Sequence, residues 1–237
     1  MVKAVKGVFV AGTDTGVGKT LVATLLLRAF GTRGWRTAAM KPVAAGAHRR
    51  SGAWINSDVE RLRAAASVRS PRTVVNPYCF APPVAPHIAA AEAGVSISLP
   101  HIREAYRKLA LSADIVVVEG AGGLLVPLGA RSDAADIVRA LALPVVLVVG
   151  LRLGCINHAL LTVAALQARG LRLAGWIGNC VVPRMARRAE NIEALRQRIA
   201  APLLGIVPHG VGGDPQTLAR GLDLGPLIRF VSERKLN

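Results

Sequence analysis

Cysteine, aromatic residues, acidic side chains and long hydrophobic runs are all scarce in this chain of 237 residues. Its three cysteines, Cys79, Cys155 and Cys180, are far apart and odd in number. They suggest neither a disulfide framework nor a zinc site, and they fit a reducing cytoplasm. The histidines form no metal-spaced pair, so an imidazole-based metal centre is not expected. The longest apolar run, 140–151, is too short to span a bilayer. The first seven residues carry two lysines but lead into a stretch too short for a secretory leader. The expectation is a cytoplasmic protein without a membrane partner.

Acidic residues number 14 against 30 lysines and arginines, a formal net charge of +16. Such a surplus permits nonspecific attraction to nucleic acid. The arginines are dispersed, however, with no basic arm and no interleaved aromatics. The charge is therefore read as help for anionic substrates, with no nucleic-acid partner.

What the chain does have is the run GTDTGVGKT at 12–20. An apolar stretch precedes it, and Leu21, Val22, Leu25, Leu26 and Ala29 follow at helical spacing. Strand, glycine-rich turn and helix are the context of a phosphate-binding loop. Glycines let successive N–H groups turn inward, and the helix start adds free donors and the positive dipole end. Lys19 would reach the outer phosphates, and the Thr20 hydroxyl would ligate magnesium. The spacing departs from the strict pattern: five residues, not four, separate Gly12 from Gly18.

Strand and helix signals then alternate along the chain. Residues 36–41 read as a strand ending at Pro42, and 58–66 as a helix behind Asn56 and Ser57. Residues 70–86 hold five prolines and should be irregular, while packing down through their apolar side chains. Strands are expected at 114–118, 144–149, 171–177 and 202–207, and helices at 102–111, 134–141, 157–168 and 189–199. A short helix is expected at 215–220 in an otherwise poorly determined tail. The fold class is α/β, a mostly parallel β-sheet with helices on both faces, like the phosphate-loop NTPases. Residues 1–237 read as a single domain, with 44–100 insertion-like.

The phosphate loop, Lys41, Glu119 and Asn179 all fall at carboxyl ends of expected strands, which share one edge in a parallel sheet. Glu119 is placed as a second magnesium-site acid would be, or as a solvated strand end. Asp58 is a candidate metal acid or a first-turn helix acid favoured by the dipole. Lys41 alone reads equally as a snorkelling surface lysine. Asn179 either caps its strand or reads a purine edge.

Taken together, several motifs resemble the dethiobiotin synthetase family over about 7–208. They are GTDTGVGKT at 12–20, KPV at 41–43, NSD at 56–58, NPYCF at 76–80 and PH at 86–87. VEGAGG at 118–123, LGCINHALLT at 153–162 and AGW at 174–176 complete the set. The resemblance implies ATP- and magnesium-dependent insertion of carbon dioxide between the two amines of 7,8-diaminopelargonic acid. A carbamate and then a carbamic-phosphoric anhydride form, and the ureido ring of dethiobiotin closes with release of ADP and phosphate.

It further implies that Lys19, Lys41 and Thr15 lie at the reacting groups, and that Thr20, Asp58 and Glu119 surround magnesium. Gly16, Val17, Gly18, Lys19, Thr20 and Leu21 would hold phosphates, and Glu119, Gly120, Ala121 and Gly122 would also line the ATP site. Asn179, Val207, Pro208 and His209 would frame the base. Lys41 and Ala45 would meet substrate, though Ala45 lacks the hydroxyl common in the family at that position. The family is homodimeric, so Cys155, Ile156 and Asn157 would bind the substrate's tail carboxylate across the subunit interface. Two alternatives remain, a cobyrinic acid diamide synthase-like ligase and a partition or positioning ATPase. The first normally carries a glutaminase domain for which the chain has no room. The second usually has another lysine near the loop's start, where Thr13 and Asp14 stand.

Overall fold

The computed structural model describes residues 7–50, 52–210 and 215–232. The first six residues and part of the tail beyond Gly210 lie outside the described residues. In chain order the first elements are β1 (Gly7–Gly12), α1 (Lys19–Gly31), β2 (Thr37–Met40), β3 (Val43–Ala44) and β4 (His48–Arg50). Then come β5 (Ala53–Ile55), α2 (Ser57–Ala65), α3 (Arg72–Val75), β6 (Tyr78–Cys79), α4 (Pro86–Glu92) and α5 (Leu99–Ser112). The next are β7 (Ile115–Gly123), α6 (Ala134–Leu141), β8 (Val145–Gly150), α7 (Cys155–Ala168) and β9 (Leu173–Asn179). The last are α8 (Arg188–Arg198), β10 (Leu203–Val207), α9 (Pro215–Arg220) and α10 (Gly225–Ser232).

Six of these strands form one sheet in the order β10-β9-β8-β1-β7-β2, with every pairing parallel. The central strands are apolar on both faces because helices cover both, which is why they read as unbroken hydrophobic runs. Their side chains still alternate. Phe9, Val116, Val118, Leu147 and Val149 join one apolar cluster with residues of α4 to α8. Val8, Val10, Val117, Val146 and Val148 join another beneath α1, α2, α9 and α10. Two half-cores therefore clamp the sheet, and its carboxyl edge is left to carry loops.

Local chemistry sets the helix starts. Asn56 caps α2 through its side-chain oxygen, which accepts from the N–H groups of Asp58 and Val59. Asp133 and Asp136 form a reciprocal capping box at α6, whose bounds match the expected helix. Three expectations need correction. β7 continues to Gly123, so Glu119 sits inside a strand and not at its end. Residues 120–123, beyond the expected end of that strand, are held as strand by pairing, for Gly12 lies opposite Gly123. The proline-rich stretch contains a short helix, α3, and a strand, β6, paired with β3. Its apolar side chains do pack down, with Val75 and Phe80 buried. The insertion-like region also carries an exposed β4–β5 hairpin, and α10 was not expected at all. Among the described residues no helix is long and apolar enough to cross a membrane.

Candidate active site

The turn from β1 into α1 is a cradle held from several sides. Gly16 and Gly18 adopt φ of 75° and 90°, the left-handed region that glycine enters without strain. Gly18 caps α1 without a side-chain bond, so the N–H groups of Lys19, Thr20 and Leu21 have no intrahelical partners. A Cβ on Gly18 would collide with Asn179 Nδ2. That nitrogen donates to Val17 O at 2.8 Å, tying the loop to the end of β9. Thr13 N–H donates to Val148 O at 3.0 Å, and Arg152 Nη2 pairs with Asp14 Oδ2 at 2.6 Å. Val17 is buried against Gly12 and Gly150. The loop is thus preorganised by β8 and β9, strands far away in sequence.

Beside it lies a compact charged cluster. Lys41, one residue beyond β2, donates from Nζ to Asp58 Oδ2 at 2.7 Å and to Glu119 Oε1 at 2.8 Å. Thr20 Oγ1 donates to the same Glu119 oxygen at 2.8 Å. Glu119 is 1% exposed, and its second oxygen, Oε2, is buried with no hydrogen-bond partner among the described residues. Lys19 is also buried, and its Nζ folds back onto Asp14 O at 2.8 Å.

Electrostatics separate the two lysines. Burial lowers the Lys19 ammonium to about 8, helped by Lys41 and opposed by Glu119 and Asp14. Burial would lower Lys41 as well, but the Glu119 and Asp58 carboxylates outweigh it and hold Lys41 above the ordinary lysine value. Asp58 shows the complement: burial would raise it, and Lys41 keeps it below the usual carboxylate range. Lys41 is therefore a locked charge, whereas Lys19 lacks a carboxylate of its own.

A family model described as an AAA domain matches residues 6–214. The ATP-dependent dethiobiotin synthetase of Aromatoleum aromaticum is 58% identical over 216 residues, 91% of this chain and 96% of that protein. The chain belongs to the dethiobiotin synthetase family.

The dethiobiotin synthetase of Nitrosospira multiformis is 52% identical, over 92% of this chain and 95% of its own length. Among solved structures, the signal recognition particle receptor FtsY of Elizabethkingia anophelis superposes with a TM-score of 0.51 at 17% identity. It covers 97% of this chain, which spans 65% of that structure, and it shows the shared phosphate-loop NTPase fold alone. The partition-ATPase and diamide-synthase alternatives are not favoured.

In this chain the sheet brings most of the expected site residues together. Thr20, Lys41, Asp58 and Glu119 form one network. Thr15 Oγ1 lies near Gly122, 3.6 Å from where a Cβ on that glycine would stand. Gly120 packs so closely on the Phe9 ring that a Cβ would come within 2.9 Å of it. Ala45 is tied to α2, for its carbonyl accepts from Asn56 Nδ2 at 2.9 Å. Asn179, Val207, Pro208 and His209 gather where β9 and β10 end, with Cys180 N–H on Val207 O and His209 Nδ1 3.1 Å from Cys180 O. Cys155, Ile156 and Asn157 stand apart: among the described residues no hydrogen bond or ion pair joins them to the Lys41 cluster.

Sequence reading missed Arg152, whose ion pair with Asp14 braces the loop, and Asn56 as the link between Ala45 and Asp58. The NSD motif carried a signal for Asn56. Arg152 carried none, because its partner lies 138 residues away.

Proposed function

We propose that the chain makes dethiobiotin, inserting carbon dioxide between the two amines of 7,8-diaminopelargonic acid in an ATP- and magnesium-dependent reaction. It is an ATP-dependent ligase by family, and residues 1–237 act as one catalytic unit. The observation that carries the residue roles is the charged network beside the phosphate loop, where Lys41 bridges two carboxylates and Thr20 shares one of them. One amine captures carbon dioxide as a carbamate, whose oxygen attacks the γ-phosphorus as the bond to ADP breaks. The second amine then attacks the carbonyl of the resulting anhydride and expels phosphate, which closes the ring.

Several anions must be held together while charge moves between them, so fixed positive charge is the main requirement. Lys41, kept protonated by its partners, and Lys19 flank the transferring group, and Thr15 approaches it from the loop. The unpartnered Glu119 Oε2, the Asp58 carboxylate and the Thr20 hydroxyl fit a divalent cation. Among the described residues no group of three or more His, Cys, Asp or Glu forms a closed metal cage. Magnesium suits so sparse a set, since it takes one or two carboxylates together with substrate phosphates. Bound there, magnesium would neutralise charge on the phosphate oxygens. Gly16 to Leu21 and Glu119 to Gly122 border the nucleotide, with Asn179, Val207, Pro208 and His209 around its base.

Homodimerisation would complete the site. Leu153 is 93% exposed and Leu161 61%, an apolar rim around α7 that a second copy would cover. Helix α7 follows Gly154 with no side-chain cap, so Asn157 does not cap it; Cys155 N–H is taken by Arg152 O, and the N–H groups of Ile156 and Asn157 stay available for the substrate's tail carboxylate.

The test is phosphate release in the presence of ATP, bicarbonate and diaminopelargonic acid, with dethiobiotin detected by mass. Release stimulated by DNA or lipid vesicles but not by the diamine would overturn the reading. The methyl ester of the diamine is expected to bind at least about tenfold more weakly, through loss of a charge-assisted contact. Equal apparent affinities for acid and ester would mean that the tail is not captured at α7.

Lys19 supplies a pH prediction with a definite sign. Phosphates favour its charged form, so nucleotide binding takes up a proton whenever Lys19 is neutral beforehand. Affinity should hold below pH 8 and fall above it by up to about tenfold per pH unit. Calorimetric titration of an ATP analogue from pH 7 to 9.5 measures this, and Lys19→Met should abolish the slope. A parent protein with constant affinity across that range would exclude the role.

A further inference from the structure

Lys41 is placed by a backbone arrangement that its neighbours in sequence do not explain. The segment 41–44 runs beside 75–80 as a short parallel ladder. Lys41 N–H donates to Val75 O at 2.9 Å, Tyr78 N–H to Pro42 O at 3.1 Å, and Phe80 N–H to Ala44 O at 2.8 Å. Val43 and Ala44 pair with Tyr78 and Cys79. That ladder serves the carbonyls of Pro42 and Ala44, alternate residues, and leaves the Lys41 carbonyl without a ladder donor. A buried carbonyl without a donor is costly, so such groups are almost always paired.

The pairing here comes from a side chain. Asn76, 6% exposed, donates from Nδ2 to Lys41 O at 2.6 Å and to Tyr78 O at 2.9 Å. Its two amide hydrogens join the Lys41 carbonyl to that of Tyr78, and they hold the Lys41 peptide in place. Lys41 then extends a flexible four-carbon stem to Asp58 and Glu119. Because the stem has many rotamers, the position of its ammonium depends on a backbone that does not shift. We infer that Asn76 is a positioning residue for the reaction, acting through Lys41 by donating to the carbonyl that the ladder leaves unserved. The inference rests on the reading that Lys41 serves the transferring group. Neither hydrogen bond of Asn76 goes to the phosphate loop, so its influence should bypass nucleotide binding.

Asn76→Ala removes both donors, and Asn76→Ser keeps a single hydroxyl donor. Turnover of the diamine should fall about tenfold or more in the first, since displacements near 1 Å at a reacting group cost up to about a hundredfold. The serine variant should fall less. Affinity for an ATP analogue should stay within about twofold of the parent in both. The deciding measurement is a double-mutant cycle with Lys41→Gln. If Asn76 acts through Lys41, Asn76→Ala costs little further turnover once Lys41 is gone.

An impaired Lys41→Gln variant in which Asn76→Ala still costs its full factor would overturn the positioning role alone. Parental turnover in Lys41→Gln would overturn the assigned role of Lys41 and this inference with it. Should Asn76→Ala lose nucleotide binding, the cycle is run with Asn76→Ser. Loss of nucleotide binding in both variants would show that Asn76 holds the fold, and would overturn the inference.

Discussion

Lys19→Ala should lower turnover by at least about a hundredfold, the usual loss when one preorganised electrostatic group is removed from a transition state. Lys19 is 6% exposed, and among the described residues it has no carboxylate hydrogen bond, only the Asp14 carbonyl at 2.8 Å. A lysine in that position bears a desolvation penalty, visible in its lowered pKa of about 8, that arriving phosphates would relieve. The same charge is available as negative charge builds on the oxygens around the γ-phosphorus. Alanine removes it without touching the Asn179–Val17 hydrogen bond or the Arg152–Asp14 pair, so the loop itself should survive. Steady-state turnover with saturating diamine and ATP measures the loss. Near-parental activity in a folded Lys19→Ala protein would refute the assignment of this loop to the reaction.

Glu119→Gln should also lose about a hundredfold at low magnesium, and it should recover partly as magnesium is raised. Glu119 Oε1 already accepts from Thr20 and Lys41, which leaves Oε2 as the free acceptor of the cluster. Glutamine keeps the shape but replaces one oxygen with an NH2 donor and removes the charge that faces Lys41. Cation affinity and the anchoring of Lys41 should both weaken. Asp58→Asn should act in the same direction but less, because the Asp58 side chain is 34% exposed against 1% for Glu119. Magnesium activation curves separate the two effects. Parental magnesium dependence in both variants would show that neither carboxylate holds the metal.

The legibility of the fold followed from how locally each element is specified. β1, β7 and β8 were visible because burial on two faces demands unbroken apolar residues. α6 was visible to the residue because Asp133 and Asp136 announce its start. The carboxyl half of β7 was not, since a run of glycines carries no strand propensity. That half is strand only because β1 lies beside it. The β4–β5 hairpin and α3 were hidden for a related reason: short, exposed or proline-flanked pieces are decided by their surroundings.

The candidate site divides along the same line. By itself the sequence determined the phosphate loop, the apolar rhythm of the strands and the family motifs, because glycine geometry and side-chain periodicity are properties of a few adjacent residues. It also located Lys41, Asp58 and Glu119 as candidates, without showing that they touch. Only the tertiary structure decided that Lys41 bridges both carboxylates and that Thr20 shares Glu119 Oε1. It likewise showed that Asn179, read as a strand cap or a base reader, clamps Val17. These contacts join residues 17 to 162 positions apart, and they exist because β2, β7, β1, β8 and β9 lie side by side in that order. Strand order and register are set by packing across the whole sheet, and no local stretch of sequence encodes them.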